Sequence, residues 1–276
     1  MSGRLLVVGD VVTDVVAAPE GPLNPGTDVS ARIRMRPGGS GANTAAWAAR
    51  RGAETSLLAR VGADGVEWHS SSLSRAGVRP RLRVADDHAT AVLVALLDSH
   101  GERTMITDRG AGATLCLDDW DEELLDSADL VHLSGYIWFA PPGRLLAATI
   151  LDAAARRGVP ASVDPASTGF LTEYGPDQFS RDARSAALLL PNLDEARLLS
   201  GAEDPKSAAR ALSLRHGAAA VTLGDGGAIA ARLGEIVAEV PAVDVEVVDT
   251  VGAGDAFAGG FLAARLAGAD LAEAAA

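Results

Sequence analysis

Short runs of consecutive apolar residues recur along the chain. They lie at Arg4–Val8, Thr55–Arg60, Ala91–Leu97, Leu130–Leu133, Val159–Val163, Ala187–Leu190 and Ala219–Leu223. An unbroken apolar run of this length predicts a strand buried on both faces rather than a half-solvated one. Between many of them lie stretches with helical spacing, at Ala42–Arg51, Leu145–Arg157, Leu193–Leu199 and Ala208–His216. Three helical stretches end on a basic residue or histidine followed by glycine, at Arg51-Gly52, Arg157-Gly158 and His216-Gly217. That pairing predicts C-terminal caps placed just before buried strands. Strand and helix in alternation predict an α/β fold, a mostly parallel sheet with helices on both faces. Two regions break the rhythm. Residues 15–36 are rich in Pro and Gly and then alternate, with Val29, Ala31, Ile33 and Met35 set against Ser30, Arg32, Arg34 and Arg36. Residues 79–108 alternate as well, with a turn at Ser99-His100-Gly101-Glu102. These two insertions predict a small extra sheet beside the main one, or ordinary edge hairpins.

Composition narrows the class. The length of 276 residues suits one large domain over 1–276. A net charge of −13 repels phosphate backbones, so nucleic acid is a poor partner. Cys116 is the only cysteine, which excludes an intrachain disulfide and a cysteine zinc site. The opening MSGRLLVVGD lacks the apolar core of a signal peptide, and no apolar run approaches the ~18 residues of a membrane span. A cytoplasmic protein is expected. The remaining histidines, His69, His88, His100 and His216, have no metal-ligand spacing and read as surface or capping residues. Lys206 is the only lysine and stands in no glycine loop, so both the Gly-Lys-Ser/Thr phosphate loop and the strand lysine of protein kinases are absent. Any phosphate chemistry must proceed without lysine.

The strongest chemical signal is Asp249-Thr250-Val251-Gly252-Ala253-Gly254-Asp255-Ala256-Phe257-Ala258-Gly259-Gly260, which follows an alternating run at Val243, Val245 and Val247 and opens an apolar helical stretch. The first turn of a helix presents unpaired N–H groups and a partial positive charge, so Gly252, Ala253 and Gly254 would form an anion hole. Asp255 in that turn would repel a phosphate it merely had to bind. It makes sense as a base that takes a proton from a hydroxyl attacking that phosphate. On the residues alone, three other readings stay open: a dinucleotide fingerprint with Phe257 in place of the third glycine, a plain strand-to-helix turn with a capping Asp, and a close helix-packing site at Gly259-Gly260.

The segment Asp-Thr-x-Gly-Ala-Gly-Asp resembles the C-terminal signature of the ribokinase-like (PfkB) family of carbohydrate and nucleoside kinases. Four further segments resemble that family in the same order: Gly9–Asp14, Pro37–Asn43, Asn192–Glu195 and Thr222–Gly227. Together they cover residues 9 to 260. The resemblance implies a three-layer α/β/α core with a small β lid built from the two insertions, a lid that often pairs with a second subunit to make a homodimer. It implies ATP and Mg²⁺ as cofactors and a small sugar or nucleoside as substrate. Asp14, Gly38, Gly39 and Asn43 would bind substrate hydroxyls. Asn192, Thr222, Gly224 and Gly227 would bind nucleotide, and Glu195 would organise water around Mg²⁺. A monovalent cation near Asp249 and Val251 would make the enzyme potassium-activated. Local readings compete at each position: a cap at Asp14, a glycine turn at 38–41, a helix N-cap at Asn192 and a β-turn at 222–227. Arg103 and Arg109 would meet a substrate anion or the transferring phosphoryl group.

Two departures from the family pattern bear on substrate and nucleotide. Ribose-specific members carry an acidic residue near mid-chain, where this sequence has His132-Leu133-Ser134-Gly135-Tyr136. Family members continue past the signature helix with another helix and strand, whereas the sequence stops at Ala276; the expectation is a truncated chain or an open adenine pocket. The clustered Tyr136, Trp138 and Phe139 keep a nucleoside kinase as the alternative. A non-catalytic sugar or nucleotide sensor is the reading from another class.

Overall fold

The computed structural model describes residues 3–97, 103–246 and 250–276. In chain order the first half holds β1 (Arg4–Val8), β2 (Val12–Pro19), β3 (Ala31–Gly38), α1 (Ser40–Arg50), β4 (Glu54–Gly62), α2 (Val66–Arg75), β5 (Val78–Ala85), β6 (Ala91–Leu97), β7 (Arg103–Asp108) and β8 (Leu130–Ser134). There follow α3 (Pro141–Arg157), β9 (Ala161–Asp164), α4 (Thr168–Tyr174), α5 (Pro176–Asp182), β10 (Leu188–Leu189), α6 (Leu193–Ser200), α7 (Pro205–His216), β11 (Ala218–Thr222), β12 (Ala228–Arg232), β13 (Glu235–Val240), α8 (Ala253–Leu266) and α9 (Leu271–Ala275).

The strands form two sheets. The large one runs β13-β12-β11-β10-β9-β8-β1-β4-β5, and the small one β3-β2-β6-β7. From β5 across to β11 every pair in the large sheet is parallel, and β12 and β13 close the far edge as an antiparallel pair. The unbroken apolar runs are buried on both faces, as their composition requires. In β1, Leu6 and Val8 join a core with Leu146, Ile150 and Leu151 of α3, while Leu5 and Val7 join the opposite core with Ala45 and Ala48 of α1 and Phe261 and Leu262 of α8. Gly52, Gly158 and Gly217 carry positive φ after their helices, so all three expected caps form.

The second insertion divides between the sheets. β5 pairs with β4 in parallel from Thr55↔Val78 to Gly62↔Ala85 and is an edge of the large sheet. Only β6 and β7 join the small one. The alternation of exposed Arg79, Arg81 and Arg83 is therefore that of an edge strand with one face covered, and alternation alone cannot say which sheet owns the edge. The alternating run after β13 forms no strand over 241–246, where Val243 and Val245 are exposed; Val247 lies outside the described residues. His69 and His216 are buried rather than on the surface, and His69 Nε2 lies 3.0 Å from the hydroxyl of Thr13 in β2. His100 lies outside the described residues.

Close packing of α1 on α8 brings the two ends of the chain together. Gly259 makes it possible: a Cβ there would stand 2.6 Å from the carbonyl of Thr44 and 2.7 Å from Cβ of Trp47. Gly260 faces open space and plays no such part. Gly259→Val therefore has to push α8 off α1. A loss of about 1–3 kcal/mol is expected from overpacking, read as a lower denaturation midpoint at unchanged m-value.

Candidate functional site

The C-terminal ends of parallel strands in an open α/β sheet are where ligands gather. Here β1, β8, β9 and β11 deliver Asp10, Tyr136, Asp164 and Thr222 to a common cleft of about 260 Å³. The N-terminal turns of α1 and α8 close one side with Ser40, Asn43 and Gly252–Asp255, and Asp14, Leu93, Met105 and Thr107 of the small sheet cover the top.

The turn into α8 is set by Gly252, which is the N-cap with φ +76°. That left-handed conformation suits glycine. A Cβ there would also stand 3.4 Å from Nδ2 of Asn43. The geometry selects among the expected anion-hole donors. Ala253 N–H is already bonded to the Thr250 carbonyl at 3.2 Å, and Ala256 N–H to the Gly252 carbonyl at 2.8 Å. Among the described residues, the backbone N–H groups of Gly254 and Asp255 have no acceptor. The Gly252 turn thus engages the Ala253 N–H and leaves that of Gly254, among the three expected donors, without an acceptor among the described residues.

Asp255 lies in that turn and accepts a hydrogen bond from Asn43 Nδ2 at 2.9 Å. Burial raises its carboxyl to about 7, the nearby Asp10 and Asp14 add to the rise, and the hydrogen bonds from Asn43 and Ser40 oppose it. Asp14, on β2, is raised to about 6 by burial and by Asp10, against the pull of Arg36. Gly38 packs onto this carboxyl: a Cβ at 38 would meet its oxygens at 2.1 Å and 2.8 Å. Gly38 thus shapes the seat of Asp14 and does not itself wall the cleft, whereas Gly39 does.

Asn192 and Glu195 form a reciprocal capping box at the start of α6. Glu195 N–H donates to Asn192 Oδ1, and Asn192 N–H donates to Glu195 Oε2, both at 2.9 Å. The helix-cap reading therefore holds for Asn192. Both residues also wall the cleft, and burial pushes the Glu195 carboxyl up to about 7. Thr222 walls it too. Gly224 and Gly227 instead make the tight turn between β11 and β12, with Gly227 N–H on the Gly224 carbonyl at 3.2 Å, and do not reach the cleft. Asp249 lies outside the described residues, as does any cation site built on it. The side chain of Arg103 is likewise outside them.

Several cleft residues carried no role in the sequence. Asp10 accepts the backbone N–H groups of Ser40 and Gly41, both at 3.1 Å, and so anchors the start of α1. Asp164 ends β9, and burial with Glu195 and Asp255 nearby lifts its carboxyl well above the usual range. A carboxylate just past an apolar strand was a legible signal in both cases. Arg109 was expected to face an anion; it walls the cleft and donates to the Tyr136 carbonyl at 2.6 Å, with its guanidinium 5.8 Å from the Phe170 ring. Of the three clustered aromatics only Tyr136 reaches the cleft. Trp138 is buried against Phe179, and Phe139 stacks on Phe170. Among the described residues no group of three or more His, Cys, Asp or Glu side chains could by itself hold a metal, and no helix is long and apolar enough to cross a membrane.

Comparison with known proteins bears on the family and the fold. A fructokinase of Klebsiella pneumoniae is 32% identical over 272 residues, 95% of this chain and 84% of the relative. An ATP-dependent ribose-1-phosphate kinase of Halopiger xanaduensis is 32% identical over 97% of this chain and 86% of its own. The crystal structure of adenosine kinase from Sinorhizobium meliloti superposes with a TM-score of 0.89 at 25% identity, covering 100% of this chain and 91% of that one. A ribokinase from Cryptococcus neoformans, solved with ADP, gives 0.80 at 26% identity, covering 99% of this chain and 90% of that one. The model of the pfkB family of carbohydrate kinases matches residues 2–276, and the chain belongs to that family as an ATP-dependent phosphotransferase.

Proposed function

We propose that this kinase transfers the γ-phosphoryl group of ATP to a hydroxyl of a small sugar or sugar derivative, with Asp255 as the general base. The observation that carries the reading is the position of the Asp255 carboxyl: in the first turn of α8, hydrogen-bonded to Asn43, and beside two N–H groups that have no acceptor among the described residues. A carboxyl near 7 is matched to accepting a proton at neutral pH. The Asp14 carboxyl and the Asn43 amide hold the acceptor so that one hydroxyl lies at Asp255. The N–H groups of Gly254 and Asp255, at the positive end of α8, stabilise charge on the transferring phosphoryl oxygens.

The cleft suits a divalent cation. Asp164 and Glu195 are buried carboxyls with no cationic partner among the described residues. Mg²⁺ keeps most of its waters and needs few protein oxygens, so the lack of a three-ligand cluster fits it. Glu195, through water, and Asp164 would hold it, and it would supply charge neutralisation on the phosphates. Nucleotide would lie along Asn192 and Thr222.

The test is ADP release with ATP and Mg²⁺ over a panel of sugars, sugar acids, sugar phosphates and nucleosides, with and without K⁺. A strong responder among the sugars or their derivatives is expected. Tyr136 in the cleft favours a nucleoside as the second reading, and a nucleoside responder would establish it. ATP binding without turnover on any acceptor would leave a sensor.

The small sheet also has a covered role in this reading, as an interface between two copies. Ile33, Met35 and Ile106 are exposed on its outer face, 62%, 63% and 56% accessible, with Val15 and Val94 paired between them. A homodimer joined there is expected to sediment at twice the chain mass, and Met35→Glu to return it to monomer.

A further inference from the structure

The opposite face of the small sheet carries a charge pattern that a neutral acceptor would not use. Arg32, Arg34 and Arg36 alternate along β3, so all three stand on one face. The pairing register fixes which face it is. Arg36 is opposite Asp14 on β2, and Asp14 is opposite Leu93 on β6, which is opposite Thr107 on β7. Asp14, Leu93 and Thr107 all wall the 260 Å³ cleft. The arginine face is therefore the one turned toward the cleft.

The three arginines line a second pocket of about 310 Å³ that shares Asp14, Leu93 and Val251 with the cleft. Its floor is aliphatic: Val16, Ala18 and Ala95. The sheet supplies a countercharge to only one of the three positions. Arg36 faces Asp14 across the strand pair, but Arg34 faces Val16 and Arg32 faces Ala18. Among the described residues no carboxylate lies within ion-pair distance of Arg32 or Arg34. Like charges two residues apart on one strand repel, and the chain as a whole is strongly acidic. Two guanidinium groups beside an aliphatic floor, at the rim of a cleft whose charged lining is the five carboxyls Asp10, Asp14, Asp164, Glu195 and Asp255 with Arg109 as its one cation among the described residues, form a seat for an anion. Two residues of strand advance about 6.8 Å, so Arg34 stands about one such step beyond Asp14.

We propose that the acceptor itself carries an anionic group, a phosphate monoester or a carboxylate, which Arg34 and Arg32 hold on the cleft-facing side of the small sheet while a hydroxyl at its other end lies at Asp255. This deepens the kinase reading above and rests on it for the role of Asp255. The acidic cleft and the basic pocket then orient the molecule. Its hydroxyl end is drawn to the carboxyls and its anionic end is repelled from them.

The test uses fructose, fructose 1-phosphate, fructose 6-phosphate, gluconate and sorbitol, titrated calorimetrically into the enzyme and assayed for ADP release. At least one anionic compound is expected to bind more tightly than its neutral counterpart, the phosphates and gluconate telling the two anion sources apart. Arg34→Gln and Arg32→Gln each raise its Kd and KM about 10- to 100-fold, as loss of a charge-assisted hydrogen bond would. The value of kcat stays within a few-fold, and Arg34→Lys recovers part of the loss. Arg75→Gln, at the far end of α2, serves as the charge-matched control and changes neither constant. Preference for the neutral compounds, binding of none of the anions, or constants indifferent to Arg32 and Arg34 overturns the proposal. Anion binding that Arg34→Gln abolishes, without any ADP release, keeps the anion seat and removes the kinase reading. Turnover of neutral sugars that ignores both arginines does the reverse.

Discussion

Asp255→Asn is expected to lower kcat by about 10²–10⁴ while the folded structure persists. The amide keeps the size of the carboxyl and can still accept from Asn43 through its oxygen, so the seat at the start of α8 stays filled. What is lost is the proton acceptor. Full activity in this variant would remove Asp255 from the mechanism. The wild-type pH profile supplies a second readout. With the carboxyl near 7, the basic form dominates above that pH, so kcat/KM should climb about tenfold per pH unit below about 6 and level off above about 8. Asp14 and Glu195 titrate in the same cleft, so this limb belongs to the group of carboxyls rather than to one of them. Asn43→Ala separates Asp255 from the rest. Asn43 donates to Asp255 and to no other carboxylate among the described residues. Removing that donor takes a stabilising bond from the ionised form, so the limb must move to higher pH. Activity lost at pH 7 should be partly recovered at pH 9. A limb that stays in place would separate the Asn43–Asp255 bond from the chemistry.

Much of this was legible in the sequence because its signals were local. Unbroken apolar runs gave the strands of the large sheet, and a glycine after a basic residue gave the caps at Gly52, Gly158 and Gly217. The helix opening at Ala253 followed from the small residues before Asp255. What escaped depends on contacts between distant segments. β5 alternates like a strand of the small sheet, and only its pairing with β4 assigns it to the large one. α2 has the sequence Val-Glu-Trp-His-Ser-Ser-Ser-Leu-Ser-Arg, too polar for its spacing to stand out, and it is held by burying His69 and Leu73. Asp164 has its carboxyl raised first by burial and then by Glu195 and Asp255, residues 31 and 91 positions away, which no window on the sequence contains. The glycines split for the same reason. Gly39 and Gly254 wall the cleft, while Gly38 seats Asp14 and Gly227 serves a turn, yet all four read alike in a motif.

Asp14→Asn should weaken the enzyme and stabilise the protein, and the sign of the second effect follows from proton linkage. In the folded chain this carboxyl is raised to about 6, first by burial and then by Asp10, whereas in the unfolded chain it titrates near its ordinary value of 3.8. Between those values the folded state binds more protons than the unfolded state, so stability falls as pH rises through that window. Below about pH 4 the penalty is absent, and above about pH 6 it is fully present. Asparagine cannot ionise and never incurs it. The variant should therefore melt higher than wild type at pH 8, by about 1–3 kcal/mol of stability or about 2–4 °C for each kcal/mol, and the difference should vanish near pH 4. The same substitution removes a charged acceptor from the acceptor hydroxyls, so kcat/KM should drop about 10- to 100-fold, mostly through KM. A group that only capped a turn would show neither the rise in KM nor a gain in stability that grows with pH. Both together would mean that the fold tolerates an ill-solvated carboxylate at Asp14 because the substrate requires one there, and that Arg36, its cross-strand partner, offsets part of the cost. If instead the variant melts lower than wild type at pH 8, the Asp14 carboxylate contributes to the fold through its neighbours, and its place in substrate binding has to be argued from KM alone.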